Sequence, residues 1–204
     1  TVALLDEVSP NVRIAGACNA IKRDADGRLV GDMFDGEGFV RGMRRKGCRP
    51  DGASVLVVGC GGVGSAIAAS LAAAGVAAIS LFDARPGAAQ ALAERLQAHY
   101  PELAVRSDSN DPAGHNVVVN ATPLGMNEGD AMPMAVSRID ADAFVGEVVL
   151  KTEMTAFLLA VQARGCLFQV GSDMLFEQIP AYLEFFGFPT TTAENLRAVA
   201  RLEG

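Results

Sequence analysis

Two hundred and four residues, half of them hydrophobic and a fifth charged, suffice for one roomy domain or two small ones and exclude a disordered chain. With 17 Lys and Arg against 24 Asp and Glu, the formal charge of −7 repels phosphate backbones, so nucleic acid is not an expected partner. Four scattered cysteines, Cys18, Cys48, Cys60 and Cys166, stand at no metal-ligand spacing; reduced thiols, a cytoplasmic setting and no metal site are expected.

Val2 to Val8 reads as the end of a helix, with Pro10 beyond it as a stop, and its acids Asp6 and Glu7 sit where a secretory leader carries bases. Ala17 to Arg23 and Arg28 to Met33 flank Asp24-Ala25-Asp26-Gly27, a turn-rich tetrapeptide that predicts a hairpin. Gly36 to Lys46 has Phe39, Val40 and Met43 at helical spacing, and Arg44, Arg45 and Lys46 before Gly47 read as a solvated last turn in preference to a phosphate patch. From Ser54 onward, short apolar runs alternate with helical patterns, as βαβ units and a parallel sheet require. The expected strands are Ser54 to Val58, Ala78 to Phe82, Ala104 to Ser107, Asn116 to Asn120, Phe144 to Val149 and Leu167 to Val170. The expected helices are Val63 to Ala74, Gly87 to His99, Glu153 to Arg164, Met174 to Phe185 and Ala193 to Leu202.

One stretch, Gly52 to Phe82, has no Asp, Glu, Lys or Arg and is long enough for a membrane span by hydropathy. Its four glycines between Gly59 and Gly64 are poor material for a transmembrane helix. A buried strand, a glycine turn, an Ala-rich helix and a second strand account for the run, and no membrane partner is expected.

The turn carries the first chemical signal. Gly59, Gly61 and Gly64 fit Gly-X-Gly-X-X-Gly between a strand and a helix, with Cys60, Gly62 and Val63 filling the motif. Such a turn brings backbone close to a pyrophosphate and offers it the free N–H groups of a helix N-terminus. Asp83, ending the next strand, stands at the spacing of an acid that accepts hydrogen bonds from the adenosine ribose, which favours NAD over NADP. Arg85 is either a surface charge or a guanidinium able to swing over a 2′-phosphate, which keeps NADP possible. Two further motifs follow strands: Val118-Val119-Asn120-Ala121-Thr122-Pro123-Leu124-Gly125-Met126, and Gly171-Ser172-Asp173-Met174-Leu175-Phe176-Glu177-Gln178, where Met174 and Gln178 share a helical face. By itself, Met174 is more often core than cofactor contact, and Asp35 before Gly36 reads as a helix N-cap.

Taken in order, Leu5 to Pro10, Gly16 to Ile21, Asp35-Gly36-Glu37-Gly38-Phe39, the glycine turn, Asn120 to Met126 and Gly171 to Gln178 resemble the shikimate/quinate dehydrogenases. The resemblance runs through nearly the whole chain. It implies a Rossmann-type doubly wound parallel sheet joined to part of an α/β substrate-binding domain. Residues 1–35 would end the substrate domain, 36–186 would form the dinucleotide domain with its linker helix, and 187–204 would return toward the substrate domain. It further implies a reversible hydride transfer between nicotinamide and a ring hydroxyl or ketone of a cyclic hydroxy acid, by a monomer or homodimer. Asn19, Asp35, Gln178 and Leu150 map onto substrate contacts. Asp35 would be the carboxylate partner of a lysine that handles the proton. Cofactor contacts map onto the glycine turn, Asp83, Ala84, Arg85, Asn120, Thr122, Val148, Gly171 and Met174.

The chain also departs from the family's pattern. Asn-Thr-Asp-Gly appears as Met33-Phe34-Asp35-Gly36, which would put two large apolar residues beside the substrate. The usual Asp and Tyr after the fifth Rossmann strand align with Glu147 and Leu150, which removes a phenol. Asp83-Ala84-Arg85 stands where NADP-using members carry Asn-Arg-Thr, so Ala84 replaces a phosphate-clamping Arg. Losing polar groups from a site that hydrogen-bonds hydroxyls implies altered ring substituents. The family's catalytic lysine and its carboxylate-binding serines lie upstream of Leu5, so the natural protein is expected to be longer. Of the lysines in the sequence, Lys22 and Lys46 are expected to be solvated and Lys151 to lie near the site but on its wrong side. The alternatives are a non-catalytic dinucleotide-binding relative and a methylene-tetrahydrofolate-type dehydrogenase; Asn19 and Gln178 speak against the latter.

Overall fold

The structure, a computed structural model, describes residues 2–200. A short 3-10 turn over Val2–Leu4 leads to β1 (Glu7–Val8), α1 (Pro10–Ala15), β2 (Ala20–Arg23), β3 (Leu29–Asp32) and α2 (Asp35–Arg45). A second group follows: β4 (Ser54–Val58), α3 (Gly62–Ala73), β5 (Ala78–Phe82), α4 (Ala88–His99), β6 (Ala104–Arg106), β7 (Val117–Asn120), β8 (Phe144–Glu147), α5 (Ala156–Ala163), β9 (Leu167–Gln169), α6 (Gly171–Phe185) and α7 (Ala193–Val199). The expected helical end at Leu202 lies outside the described residues.

The strands form two sheets. Three make a small mixed sheet in the order β1-β3-β2, in which β2 and β3 are the expected hairpin. Six make a wholly parallel sheet in the order β6-β5-β4-β7-β8-β9, so the chain reverses its direction of travel across the sheet between β4 and β7. That is the Rossmann order, and its crevice lies at the carboxyl ends of the two central strands.

The charge-free run is the centre of this sheet. In β4, Val55 and Val57 face one core with Val117, Val119 and Leu81, while Leu56 and Val58 face the other with Val118, Val145 and Phe157. Helices on both faces leave all four of these β4 side chains 2 % exposed or less, which is why the strand shows no alternation. Each such side chain contributes roughly 1.5–3 kcal/mol of transfer free energy. Nine of the twelve residues of α3 are buried, so its Ala-rich composition reflects close packing. Among the described residues no helix is long and apolar enough to cross a membrane.

The start of the chain departs from expectation. Val2 to Val8 is not a helix end: after one 3-10 turn, Asp6 N–H donates to Leu29 O at 2.9 Å, and Glu7 and Val8 pair in parallel with Val30 and Gly31. Pro10 is a beginning, not a stop. It occupies the first turn of α1, where its missing N–H costs nothing, and the Ser9 hydroxyl accepts from Val12 N–H at 3.3 Å. Elsewhere the differences are confined to ends. The Thr155 hydroxyl caps α5 by accepting from Leu158 N–H, and the Asp173 carboxylate starts α6 at Gly171 by accepting from Val170 N–H.

α2 is wedged between two neighbours. A side chain at Gly36 would run into the Ala66 carbonyl of α3, and one at Gly38 would stand 2.6 Å from the Met174 carbonyl of α6. Its basic last turn is not simply solvated as expected. Arg45 pairs with Glu194 and, at 3.4 Å, with Glu177, while Lys46 Nζ lies 3.1 Å from Asp173. Arg197 of α7 closes on the same Asp173 at 2.6 Å.

Candidate dinucleotide and substrate site

The last shared rung of the parallel sheet runs Phe82, Val58, Asn120, Glu147. The residues that follow, Asp83, Gly59, Ala121 and Val148, therefore leave from one carboxyl edge. Gly59 turns the chain with φ +100, and a Cβ there would stand 2.6 Å from Ala121 O. Gly64 packs the first turn of α3 so tightly on Gly59 O that no side chain fits. Gly61 and Gly62, in contrast, face open space, and no side chain caps α3. Free donors and room for backbone to approach a phosphate coincide there, so the residues fit a pyrophosphate. Beside the turn is a cleft of about 510 Å³, lined by Gly59, Gly61, Asp83, Ala84, Arg85, Ala121, Thr122, Pro123, Leu124 and Pro133 among others.

Asp83 is not a bare carboxylate. It accepts from Cys60 N–H at 2.7 Å and Arg85 N–H at 2.8 Å, and the Arg85 guanidinium forks it through Nε and Nη2, both at 2.9 Å. The hydrogen bonds from Arg85 hold its carboxyl well below the usual carboxylate range. The Arg85 side chain is 65 % exposed and the Asp83 side chain 9 %, so Arg85 is the member that faces solvent. Neither expectation for Arg85 captures this pairing. Cys60 is a buried part of the turn; burial first, and then Asp83, pushes its thiol up to about 12, which disfavours the thiolate.

Asn120 organises the opposite wall. Its Oδ1 accepts from Thr122 N–H at 3.1 Å and Thr122 Oγ1–H at 2.6 Å, and its Nδ2 donates to Leu124 O at 3.1 Å and to Glu147 Oε1 at 2.7 Å. Val148 and Val149 follow Glu147, and Gly171 packs against the Val149 carbonyl where no side chain fits. Met174 lies 5 % exposed in the main core.

At the other end of α2, Asp35 is the first helical residue; Phe34 holds the N-cap position and makes no side-chain cap bond. The Asp35 carboxylate is free to point elsewhere and accepts from Asn19 Nδ2 at 2.8 Å, while Asn19 Oδ1 accepts from Phe34 N–H at 3.1 Å. Burial pushes Asp35 up and the Asn19 hydrogen bond partly offsets it. Gln178 packs against Gly38, one turn from Asp35, and its buried Oε1 has no hydrogen-bond partner. An orphaned acceptor of this kind suits a ligand donor.

The structure also corrects the reading of the departures. Met33 is 4 % exposed among Val12, Ala15 and Ala66, and Phe34 is 6 % exposed among Ala20, Ala181 and the rings of Tyr182 and Phe185. Both fill interior space instead of facing a ligand; Leu150, 52 % exposed, is the departure that faces outward. Lys22 is not simply solvated either, since Nζ donates to Phe185 O at 2.6 Å and sits 4.4 Å from that ring's centroid. Lys151 Nζ donates to Asn127 Oδ1 at 3.3 Å. Sequence reasoning singled out Glu147 only as a departure from the family's Asp and missed its link to Asn120 and Thr155; the Thr before an apolar run was the available signal.

Fold and carboxyl edge together define an α/β protein of the Rossmann dinucleotide class, with a small second sheet alongside. No family model matches the chain. It is 36 % identical over 190 residues to a quinate/shikimate dehydrogenase (NAD(+)) of Corynebacterium glutamicum, covering 90 % of the chain and 67 % of that protein. It is 32 % identical over 206 residues to a shikimate dehydrogenase (NADP(+)) of Rhodospirillum rubrum, covering 97 % and 72 %. Among solved structures, quinate dehydrogenase from Corynebacterium glutamicum in complex with NAD superposes with a TM-score of 0.85 at 32 % identity, covering 97 % of this chain and 72 % of that one. The chain belongs to the shikimate/quinate dehydrogenase family. It spans about two thirds of the length of such curated relatives, 63 % for that of Rubrobacter xylanophilus.

Proposed function

We propose that this chain is the cofactor-binding part, with some of the substrate site, of an NAD(P)-dependent oxidoreductase that moves a hydride between nicotinamide and a ring hydroxyl or ketone of a cyclic hydroxy acid. The observation that carries the proposal is the shared carboxyl edge: a glycine turn with an uncapped helix and open glycines, beside a carboxylate in the ribose position. When bound, the nicotinamide supplies or accepts the hydride. The first turn of α3 would hold the pyrophosphate, and Thr122 with Leu124 would wall the cleft. At the other end, Asp35, Asn19 and Gln178 would meet ring hydroxyls, and Asp35 would orient whichever group handles the proton.

Cofactor choice would rest on Asp83 and Arg85. Asp83 suits a ribose 2′-OH, while Arg85 neutralises it and is exposed enough to turn toward a 2′-phosphate. NAD is the favoured cofactor, with NADP tolerated. Fluorescence titration of the chain with NADH and NADPH tests the reading; binding of neither would overturn it.

A second reading is a dinucleotide-binding protein without turnover. The three lysines of these 204 residues bond to Phe185, Asp173 and Asn127 and not to Asp35. Full-length protein that binds NADH yet oxidises neither shikimate nor quinate nor related polyols would favour it.

A further inference from the structure

Glu147 is fully buried at the carboxyl end of β8, and it makes no ion pair among the described residues. A carboxyl in that position is costly to desolvate, so the groups that hydrogen-bond it carry weight. Its two oxygens divide between two elements: Oε1 accepts from Asn120 Nδ2 at 2.7 Å, and Oε2 accepts from the Thr155 hydroxyl at 2.6 Å. Thr155 is itself fixed, because its hydroxyl also accepts from Leu158 N–H and caps α5. Asn120 in turn fixes Thr122 through Oδ1, and the Thr122 hydroxyl accepts from Leu124 N–H at 3.1 Å. The wall then closes at Gly125, where a Cβ would stand 3.2 Å from Thr155 and 3.6 Å from Glu147 Oε1.

We propose that Glu147 is a positioning residue for the cofactor cleft: it anchors Asn120 to the capped end of α5 and thereby sets the wall from Ala121 to Gly125. The proposal rests on the dinucleotide reading of that cleft. Glu147 lines no part of the cleft itself, so it acts through Asn120. Preorganising a wall before ligand arrives lowers the cost of ordering it on binding.

The test is NADH fluorescence titration and thermal melting of the 204-residue chain and its variants. Glu147→Gln keeps an acceptor for Asn120 and can donate to the Thr155 oxygen, so NADH affinity should stay within about twofold of the parent. Glu147→Leu keeps the volume and removes both acceptors. It leaves the Thr155 hydroxyl without an acceptor, so Tm should fall modestly, and NADH affinity should fall by about tenfold in protein still fully folded at the titration temperature, a binding loss that destabilisation alone would not produce. Thr155→Val, which removes the second anchor together with the α5 cap, should weaken binding by about threefold and serves if the Leu variant fails to fold. Parent-like affinity in the Leu variant, or in the Val variant where the Leu variant cannot be measured, overturns the inference and leaves the dinucleotide reading standing. A parent chain that binds neither NADH nor NADPH overturns both.

Discussion

On the proposed reading, Asp83 and Arg85 would decide between them which nucleotide the cleft accepts. With Arg85 forked onto it, Asp83 presents a neutralised carboxylate, so a 2′-phosphate meets less repulsion than the acid alone would impose. Arg85→Ala should therefore weaken NADPH binding by about tenfold, on the order of 1.4 kcal/mol, with a smaller effect on NADH. Asp83→Ser combined with Ala84→Arg should invert the preference toward NADPH; unchanged ratios in the two titrations would refute the assignment of this pocket. The glycines separate in the same way. Gly61→Ala has open space and should leave Tm unchanged while weakening NADH, whereas Gly64→Ala meets backbone and should cost roughly 1–3 kcal/mol of stability. At this scale the turn itself was legible, because the positive φ of Gly59 and the backbone contacts at Gly59 and Gly64 demand glycine. Met33 and Phe34 were misread, because an apolar residue at a position that is polar in relatives gives no sign of whether it lines a site or fills a core.

Elements were legible where one periodicity governs them. The strands of the parallel sheet are buried on both faces and appear as continuous apolar runs; β4 and β5 match expectation at both ends. Capping decided the cases that pattern did not. Pro10 reads equally as a stop or as a first turn, and it is the Ser9 hydroxyl, also bonded to Asp32 at 2.5 Å, that makes it a start. Ser9→Ala should cost about 1 kcal/mol in urea denaturation through the lost cap alone. The end of β8 offers a pH signature as well. Burial raises the Glu147 carboxyl more than the hydrogen bonds from Thr155 and Asn120 lower it, so the folded chain holds that proton more tightly than the unfolded chain does. The contribution of Glu147 to stability is then greatest below the ordinary carboxylate range and is lost as pH rises through the raised value. Since the Glu147→Leu variant cannot titrate there, its stability relative to the parent should grow as pH rises across that window, as denaturation at several pH values would show.

For the whole molecule, the alternation of strands and helices from Ser54 onward encoded the parallel sheet, while the way the small sheet meets it was invisible. That junction is made by contacts between residues far apart in sequence: Lys22 on Phe185 O, Arg95 on Ile14 O, and the rings of Tyr182 and Phe185 on Phe34. No local pattern announces such pairings. The same placement of lysines away from Asp35 leads to the expectation that the 204-residue chain binds NADH but produces no absorbance change at the nicotinamide band with shikimate or quinate; turnover would mean that the proton is handled by a group within this chain. The wedging of α2 has a mechanical corollary. Asp35 begins this helix and its next residues are pressed by glycine contacts against α3, which follows directly on the glycine turn, and against α6, which carries Gln178. On the proposed reading, Asp35 and the glycine turn would share one packed unit, and a change in their spacing would have to break the contacts at Gly36.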